Sequence, residues 1–194
     1  MSEGDFLVWK TAYMDGMCVI GPPNGIQKGW QLRHGISRLD GWPVDVFCKM
    51  SDEFPDDLEI GDSVHGATVL VVSKRLKEFV VGSVADNLEF LPLKIKNHKG
   101  RLASNECFIL NPLTLLDCIN IEASGVNWNN IDKNAISTCA QLVIDSKRVP
   151  ENSKLFRLTQ MPSVVVISAD LAGALEREEF MGPYFVPTEE FTGF

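Results

Sequence analysis

The sequence predicts an α+β fold: a mixed β-sheet with two strand-helix-strand modules and a β-rich N-terminal part. Three observations carry that expectation. Ser163 to Pro187 runs from a β-branched stretch (Val164, Val165, Val166, Ile167) through Ser168 into apolar residues at Leu171, Ala174 and Leu175, then into a short apolar segment, Tyr184 to Val186, closed by Pro187. Thr68 to Pro92 repeats the arrangement without a gap, superposing Val69 on Val164, Val71 on Val166, Ser73 on Ser168, Leu76 on Leu171, Phe90 on Phe185 and Pro92 on Pro187. Residues 1 to 66 are rich in Gly, Pro and Trp and lack a sustained helical period, which predicts short strands joined by turns. The chain accordingly divides into a β-rich region, 1 to 66, and an α+β unit, 67 to 194.

Each module follows from elementary signals. A β-branched run too short for a helix reads as a strand, and a serine at its end offers a side-chain oxygen to the first helical turn. Apolar residues at i, i+3 and i+4 then give one buried helical face, and Gly182-Pro183 ends the second helix. The matched positions are those that any two such units share, so duplication and independent origin both account for them.

In the N-terminal region, Phe6 to Trp9 and Met17 to Ile20 read as strands, and Gly21-Pro22-Pro23-Asn24-Gly25 as a turn. That turn is no phosphate loop: the G-x-x-x-x-G-K-[ST] spacing is missing, and two prolines stand where N–H donors would be needed. Trp30 and Leu32, then Val44, Val46 and Cys48, alternate with polar residues and predict half-buried strands. Asp52 to Asp62 holds six acidic residues and no basic one, with Pro55 and Gly61 as breakers, so it reads as a surface loop; the order of acids is not that of a calcium loop.

After the first module, Leu91 to Ile95 extends its closing strand, and Lys94, Lys96, His98, Lys99 and Arg101 around Gly100 predict a solvated hairpin. Cys107 to Leu110 reads as a strand, Asn111-Pro112 as a turn, and Leu113 to Ile121 as an apolar segment carrying one charge, Asp117, expected at an edge or as a satisfied carboxylate. A polar connection around Ser124 to Asn130, a strand from Ile136 to Ile144, a loop from Lys147 to Lys154 and a strand from Leu155 to Leu158 lead into the second module.

Composition bounds function. At 194 residues and 45% apolar content the chain supports a packed core, and no run approaches the ~20 apolar residues of a membrane-spanning helix. The first residues, MSEGDFLVWK, lack the basic start and apolar core of a secretory signal, which predicts a cytoplasmic location. Five cysteines (18, 48, 107, 118, 139) are odd in number and widely spaced, as expected of reduced core thiols, and three scattered histidines give no metal-ligand spacing. The net charge of −8 disfavours binding to nucleic acid phosphates but suits a basic protein partner as well as plain solubility. No nucleophile elbow G-x-S-x-G is present, and neither module carries G-x-G-x-x-G after its first strand. The expectation is a binding protein with no catalytic residues, cofactor or metal.

Several motifs together resemble the immunity protein family eleven of bacterial polymorphic toxin systems. They are Ser73-Lys74-Arg75-Leu76-Lys77 with Phe90-Leu91-Pro92, then Ile109-Leu110-Asn111 with Leu116-Asp117-Cys118-Ile119, then Leu155-Phe156-Arg157-Leu158, and last Ser168-Ala169-Asp170-Leu171 with Ala174-Leu175 and Phe185-Val186-Pro187. The likeness runs from about Val71 to Pro187, departing where Pro183 follows Gly182 in the link to the last strand. It implies that residues 67 to 194 form an immunity-family-like domain of a small cytosolic protein. Such a protein is encoded beside a toxin, often a nuclease, which it binds and silences by occlusion; the resemblance transfers no catalytic residues. The competing reading is an adaptor in a cytosolic signalling or motility assembly, and a third is an enzyme acting on a small metabolite. For a basic toxin the candidate contacts are Asp52, Glu53, Asp56, Asp57 and Glu59, in a loop where no nearby Lys or Arg is expected to neutralise them; the second choice is the acidic set Glu176, Glu178, Glu179, Glu189 and Glu190.

Overall fold

A computed structural model describes residues 5–193. In chain order the elements are β1 (Phe6–Thr11), a 3-10 turn (Gly29–Arg33), β2 (Phe47–Lys49), β3 (Ser63–Val64), β4 (Leu70–Ser73), α1 (Lys74–Ser83), β5 (Leu88–Lys96) and β6 (Leu102–Pro112). There follow β7 (Leu115–Leu116), α2 (Ile121–Ser124), β8 (Val126–Trp128), β9 (Ile136–Cys139), a 3-10 turn (Ser146–Arg148), β10 (Leu155–Leu158), β11 (Met161–Ser168), α3 (Ala169–Arg177), β12 (Pro183–Pro187) and a last 3-10 turn (Thr188–Glu190).

The fold is α+β, and both expected modules are present as β4-α1-β5 and β11-α3-β12. They do not share one sheet. The first lies in a five-stranded sheet ordered β2-β5-β6-β4-β3, the second in another ordered β12-β1-β11-β10-β7, and both sheets are mixed. In each module the two strands run parallel with an antiparallel strand between them: β6 separates β4 from β5, and β1 separates β11 from β12. A two-stranded ladder, β8-β9, completes the strand content of the described residues.

Period-two alternation divides the strand residues among three cores. Phe6, Val8, Phe156, Val164 and Val166 face one core, closed by Ile119, Leu142, Val149 and Phe191. Val71, Leu91, Leu93, Ile95 and Ile109 face a second, closed by Ile20, Leu32, Val46 and Met50. The opposite faces, with Trp9, Val72, Leu110, Leu155, Val165 and Ile167, meet both helices in the third: α1 contributes Leu76 and Val80, α3 contributes Leu171, Ala172 and Leu175. Full burial of Leu171 or Leu175 stabilises by about 1.5–3 kcal/mol each. All five cysteines are free and buried, and burial pushes the thiols of Cys18 to about 11 and of Cys48 and Cys118 to about 12, so these groups stay protonated at neutral pH.

Some local expectations give way. Trp30 and Leu32 belong to a 3-10 turn in which Leu32 is buried and Trp30 exposed, because two apolar points cannot separate a period of two from one of three. Val44 is 89% exposed and lies outside the strand, which begins at Phe47. Met17 to Ile20 forms bridges to Glu59, His65 and Met50 without a continuous ladder. Asn111-Pro112 ends β6 instead of turning, since β4 pairs with β6 only as far as Leu110 and the missing N–H of Pro112 costs no ladder bond on that side. β9 stops at Cys139, beyond which Leu142 is buried and Ile144 bridges Ile119.

Candidate partner-binding surface

The acidic segment is a loop, as expected, and its backbone is fixed at several points. Cys18 N donates to Glu59 O at 2.7 Å and Glu59 N to Gly16 O at 3.0 Å, tying the loop to the chain after β1. Asp57 closes the same contact through its side chain, accepting from Gly16 N at 3.0 Å and from the Tyr13 hydroxyl at 3.0 Å; the carboxylate holds the Tyr13 phenol above its ordinary pKa. Tyr13 packs at 5.5 Å between ring centroids on Phe54, which belongs to the acidic loop itself.

The structure separates the five candidate acids by role. Glu53, Asp56 and Glu59 are exposed. Asp57 is half-buried and partly structural. Asp52 is exposed but not free: Lys49 binds it at 2.8 Å and His98 approaches at 3.5 Å, so a nearby lysine does neutralise it, contrary to the sequence expectation. The Lys49 hydrogen bond, followed by His98, holds the Asp52 carboxyl below the usual range. The sequence signal was available in Lys49 at i−3, just outside the segment. Exposed apolar residues stand beside the acids: Tyr13, Met14 and Leu58, at two turns that Asp57 joins.

The sixth acid of the segment, Asp62, has a structural role that composition did not reveal. It is buried and accepts from Ser73 Oγ at 2.7 Å, Arg75 Nη1 at 3.1 Å and Met181 N at 3.1 Å. Arg75 also donates to Glu178 O at 2.6 Å and stacks on Phe180. Thus α1, the acidic loop and the link after α3 meet at one carboxylate. The second acidic set, Glu176, Glu178, Glu179, Glu189 and Glu190, is exposed at the end of α3 and in the last 3-10 turn.

Of the remaining charges named from the sequence, Lys94, Lys96 and Asp117 have partners within the chain, and Lys99 and Arg101 contribute backbone N–H groups only. Lys94 pairs with Asp45 at 2.6 Å, Lys96 lies over the Phe47 ring, and Asn97 Oδ1 accepts from Lys99 N and Arg101 N to shape the expected hairpin. Asp117 accepts from Gln160 and Arg148, each at 2.6 Å. A buried polar group that the sequence did not flag links three segments. Glu89, which looks like a solvent-facing strand residue, accepts from the N–H groups of Arg38 and Leu39, the Ser37 hydroxyl and Asn111 Nδ2. Asn111 Oδ1 in turn accepts from Arg157, joining two of the motifs that carry the family resemblance. Among the described residues no three His, Cys, Asp or Glu side chains converge as a metal-ligand set, and no helix is long and apolar enough to cross a membrane.

These features define a class: an acidic two-sheet α+β protein whose buried charges hold its layers together and whose exposed acids sit on fixed loops. The sequence matches the immunity protein family (Imm11) over residues 13–190, and the chain belongs to that family. The match reaches well beyond the motifs between Val71 and Pro187, into the N-terminal region. No curated protein matches the chain. Membership implies a protein that counters a cognate toxin.

Proposed function

We propose that the protein neutralises its cognate toxin by binding it directly and occluding its working surface, without turnover, and that the loop carrying Glu53, Asp56, Asp57 and Glu59 is the contact face, with Asp52 at its paired edge. The observation that carries the proposal is the placement of exposed Tyr13, Met14 and Leu58 beside those acids on a loop fixed by Asp57 and Glu59. Interfaces draw their affinity from a few apolar and aromatic anchors and their association rate from complementary charge at the rim. A fixed loop also loses little conformational entropy on binding. A cationic toxin surface, such as the nucleic-acid-binding face of a nuclease, is the complement of this patch, and a cytoplasmic location is where such a toxin would act.

The test uses the toxin domain encoded in the adjacent reading frame. Replacing Asp52, Glu53, Asp56, Asp57 and Glu59 by Asn and Gln is expected to slow association about tenfold at low salt, with the deficit disappearing as the Debye length shrinks to ~3 Å near 1 M. Tyr13→Ala with Leu58→Ala is expected to act on dissociation instead, weakening affinity by about 2 kcal/mol or more. Association unchanged at low salt would exclude this loop and direct attention to Glu176, Glu178, Glu179, Glu189 and Glu190.

A further inference from the structure

A cleft of about 370 Å³ opens between the two sheets, and none of the acidic loop's exposed acids lines it. Val8 stands opposite Val166 and Arg157 opposite Val165, so the next step of the β1-β11 register brings Trp9 beside Val165. Cross-strand partners project to the same side, which puts Trp9, Val165 and Arg157 in one row on the face turned toward the second sheet. These three and Leu32 are buried, while Arg33, Gly66 and Thr68 form an exposed rim.

The charge of this cleft is opposite to that of the molecule. The chain has 26 acidic and 18 basic residues, yet the described lining carries Arg33 and Arg157 and no Asp or Glu. Arg157 is 4% exposed and binds only neutral oxygens: Pro112 O at 2.9 Å, Pro162 O at 2.7 Å, Leu32 O at 2.9 Å and Asn111 Oδ1 at 3.4 Å. Its charge is solvated by dipoles and has no counter-ion among the described residues. Burial, together with repulsion from Arg33, lowers its pKa to about 10, a direction that a bound anion would reverse. The Arg33 side chain makes no ion pair or hydrogen bond among the described residues. Trp9 is 3% exposed, and its indole N–H has no acceptor. A buried donor left unmet loses its hydration with nothing in return, so native structures seldom leave one without a purpose.

Among the described residues, a buried cation without a counter-ion, a rim arginine side chain without a partner and a buried donor without an acceptor thus line one cleft. A single kind of ligand supplies what all three lack. The rest of the wall includes Val69, Leu70 and Val164, so the body of that ligand is apolar. We propose that the cleft is a binding site for a carboxylate carried on a small apolar body, seated at the Arg33–Arg157 pair, with the Trp9 N–H as a further donor. Its volume is within the range of small-molecule sites, ~300–1,000 Å³. The proposal does not depend on the toxin-binding surface. The same carboxylate could be a free small acid or the C-terminus of a protein segment.

The four tryptophans of the uniformly ¹⁵N-labelled chain give indole N–H signals that Trp9→Phe assigns. At constant ionic strength the chain is titrated with phenylacetate and octanoate, with phenylacetamide as neutral control, and with acetyl-Gly-Gly-Phe bearing either a free carboxylate or an amide. The expected result is a saturable shift of the Trp9 indole signal by a carboxylate. The matching amide binds at least about tenfold more weakly, and Arg33→Met weakens the carboxylate by about tenfold while leaving the rest of the spectrum in place. Saturation by the free acids alone identifies a small metabolite, and by the peptide acid alone a chain terminus. Absence of a saturable shift up to tens of millimolar, equal binding of acids and amides, or an unchanged affinity in Arg33→Met would each overturn the proposal.

Discussion

Arg157 shows how much of this fold hangs on single polar side chains. Its guanidinium joins β10 to Pro112 and Asn111 of β6, to Pro162 of β11 and to Leu32 of the first 3-10 turn, four hydrogen bonds that no other residue type can reproduce in one plane. Arg157→Met leaves three carbonyls without a donor, and the expected loss is about 3–5 kcal/mol, read as a shift of the denaturant midpoint; Arg157→Lys should restore little of it. The two serines that looked equivalent in the sequence are not. Ser73 Oγ accepts from Leu76 N at 3.1 Å and donates to buried Asp62, so Ser73→Ala should cost about 1–2 kcal/mol. Ser168 has extended backbone geometry suited to a cap, but its hydroxyl donates to Asp170 instead of accepting from the helix, and Ala169 N is met by Asp5 O. Ser168→Ala should therefore cost under about 0.5 kcal/mol, and equal losses in the two variants would refute the distinction. Acid stability follows from similar contacts. Gln160 and Arg148 hold Asp117, and Ser168 and Lys154 hold Asp170, below the usual carboxylate range. Carboxyls depressed in the folded state contribute stability above their unfolded pKa of about 3.9 and lose it as pH falls through the folded value. Asp86 acts in the opposite sense: burial raises its pKa, so its contribution is present at low pH and lost as pH rises through the raised value. Asp117 and Asp170 are 53% and 65% exposed, so each is worth only a few tenths of a kcal/mol after screening. Unfolding midpoints in urea should fall below pH about 4, with a shallower fall in Asp117→Asn.

The strand-helix-strand modules were legible because each switches from a β-branched run to a 3.6-residue period at one serine, and that switch is a local property. Strand neighbours are not local. Nothing in Thr68 to Pro92 or Ser163 to Pro187 announces that β6 or β1 will enter between the paired strands, since that choice depends on apolar faces far apart in sequence. The same limit hid the polar contacts: Asp62 lay among surface acids and Glu89 among alternating strand residues, and only their partners 11 to 119 residues away distinguish them from solvated charges. Of the candidate surface, the loop and its exposed acids were readable, whereas Tyr13 and Met14 reach it through turn geometry that their own segment does not encode. One element boundary had a direct physical signal. Gly182, read as a helix stop, adopts φ of +102° at the start of β12, where its backbone packs on β3 and Met181 O accepts from Ser63 N at 2.9 Å. A Cβ there would lie 2.1 Å from Ser63 O. Gly182→Ala should lose at least about 1–3 kcal/mol from the strained backbone alone, measured by thermal or denaturant unfolding, with further loss as β3 is pushed from β12.

At the scale of the molecule the two sheets are joined by a shared core and by polar ties at separate places. Leu76, Val80, Leu171 and Leu175 fill the space that both sheets face, Asp62 and Ser63 hold the link before β12, and Arg157 with Asn111 holds β10 to β6. The N-terminal region enters this arrangement at its centre. β1 pairs with β11 on one side and β12 on the other, so Phe6, Val8 and Trp9 serve two cores and the second module has no sheet without them. β2 and β3, also from residues 1–66, occupy the two outer positions of the other sheet. A fragment spanning 67–194 would leave both edges once paired to β1 open, a state prone to edge-to-edge association, and would expose the second core where Ile20, Leu32, Val46 and Met50 now close it. The full chain is therefore expected to unfold in one transition, with tryptophan fluorescence and far-ultraviolet circular dichroism coincident in urea. The 67–194 fragment, in contrast, should aggregate or show no cooperative transition, and adding a peptide of residues 1–12 should not restore it while β2 and β3 are missing. A fragment with a sharp transition of its own, or two separated transitions in the full chain, would show instead that the sheet containing β4 and β5 and the sheet containing β11 and β12 fold without each other.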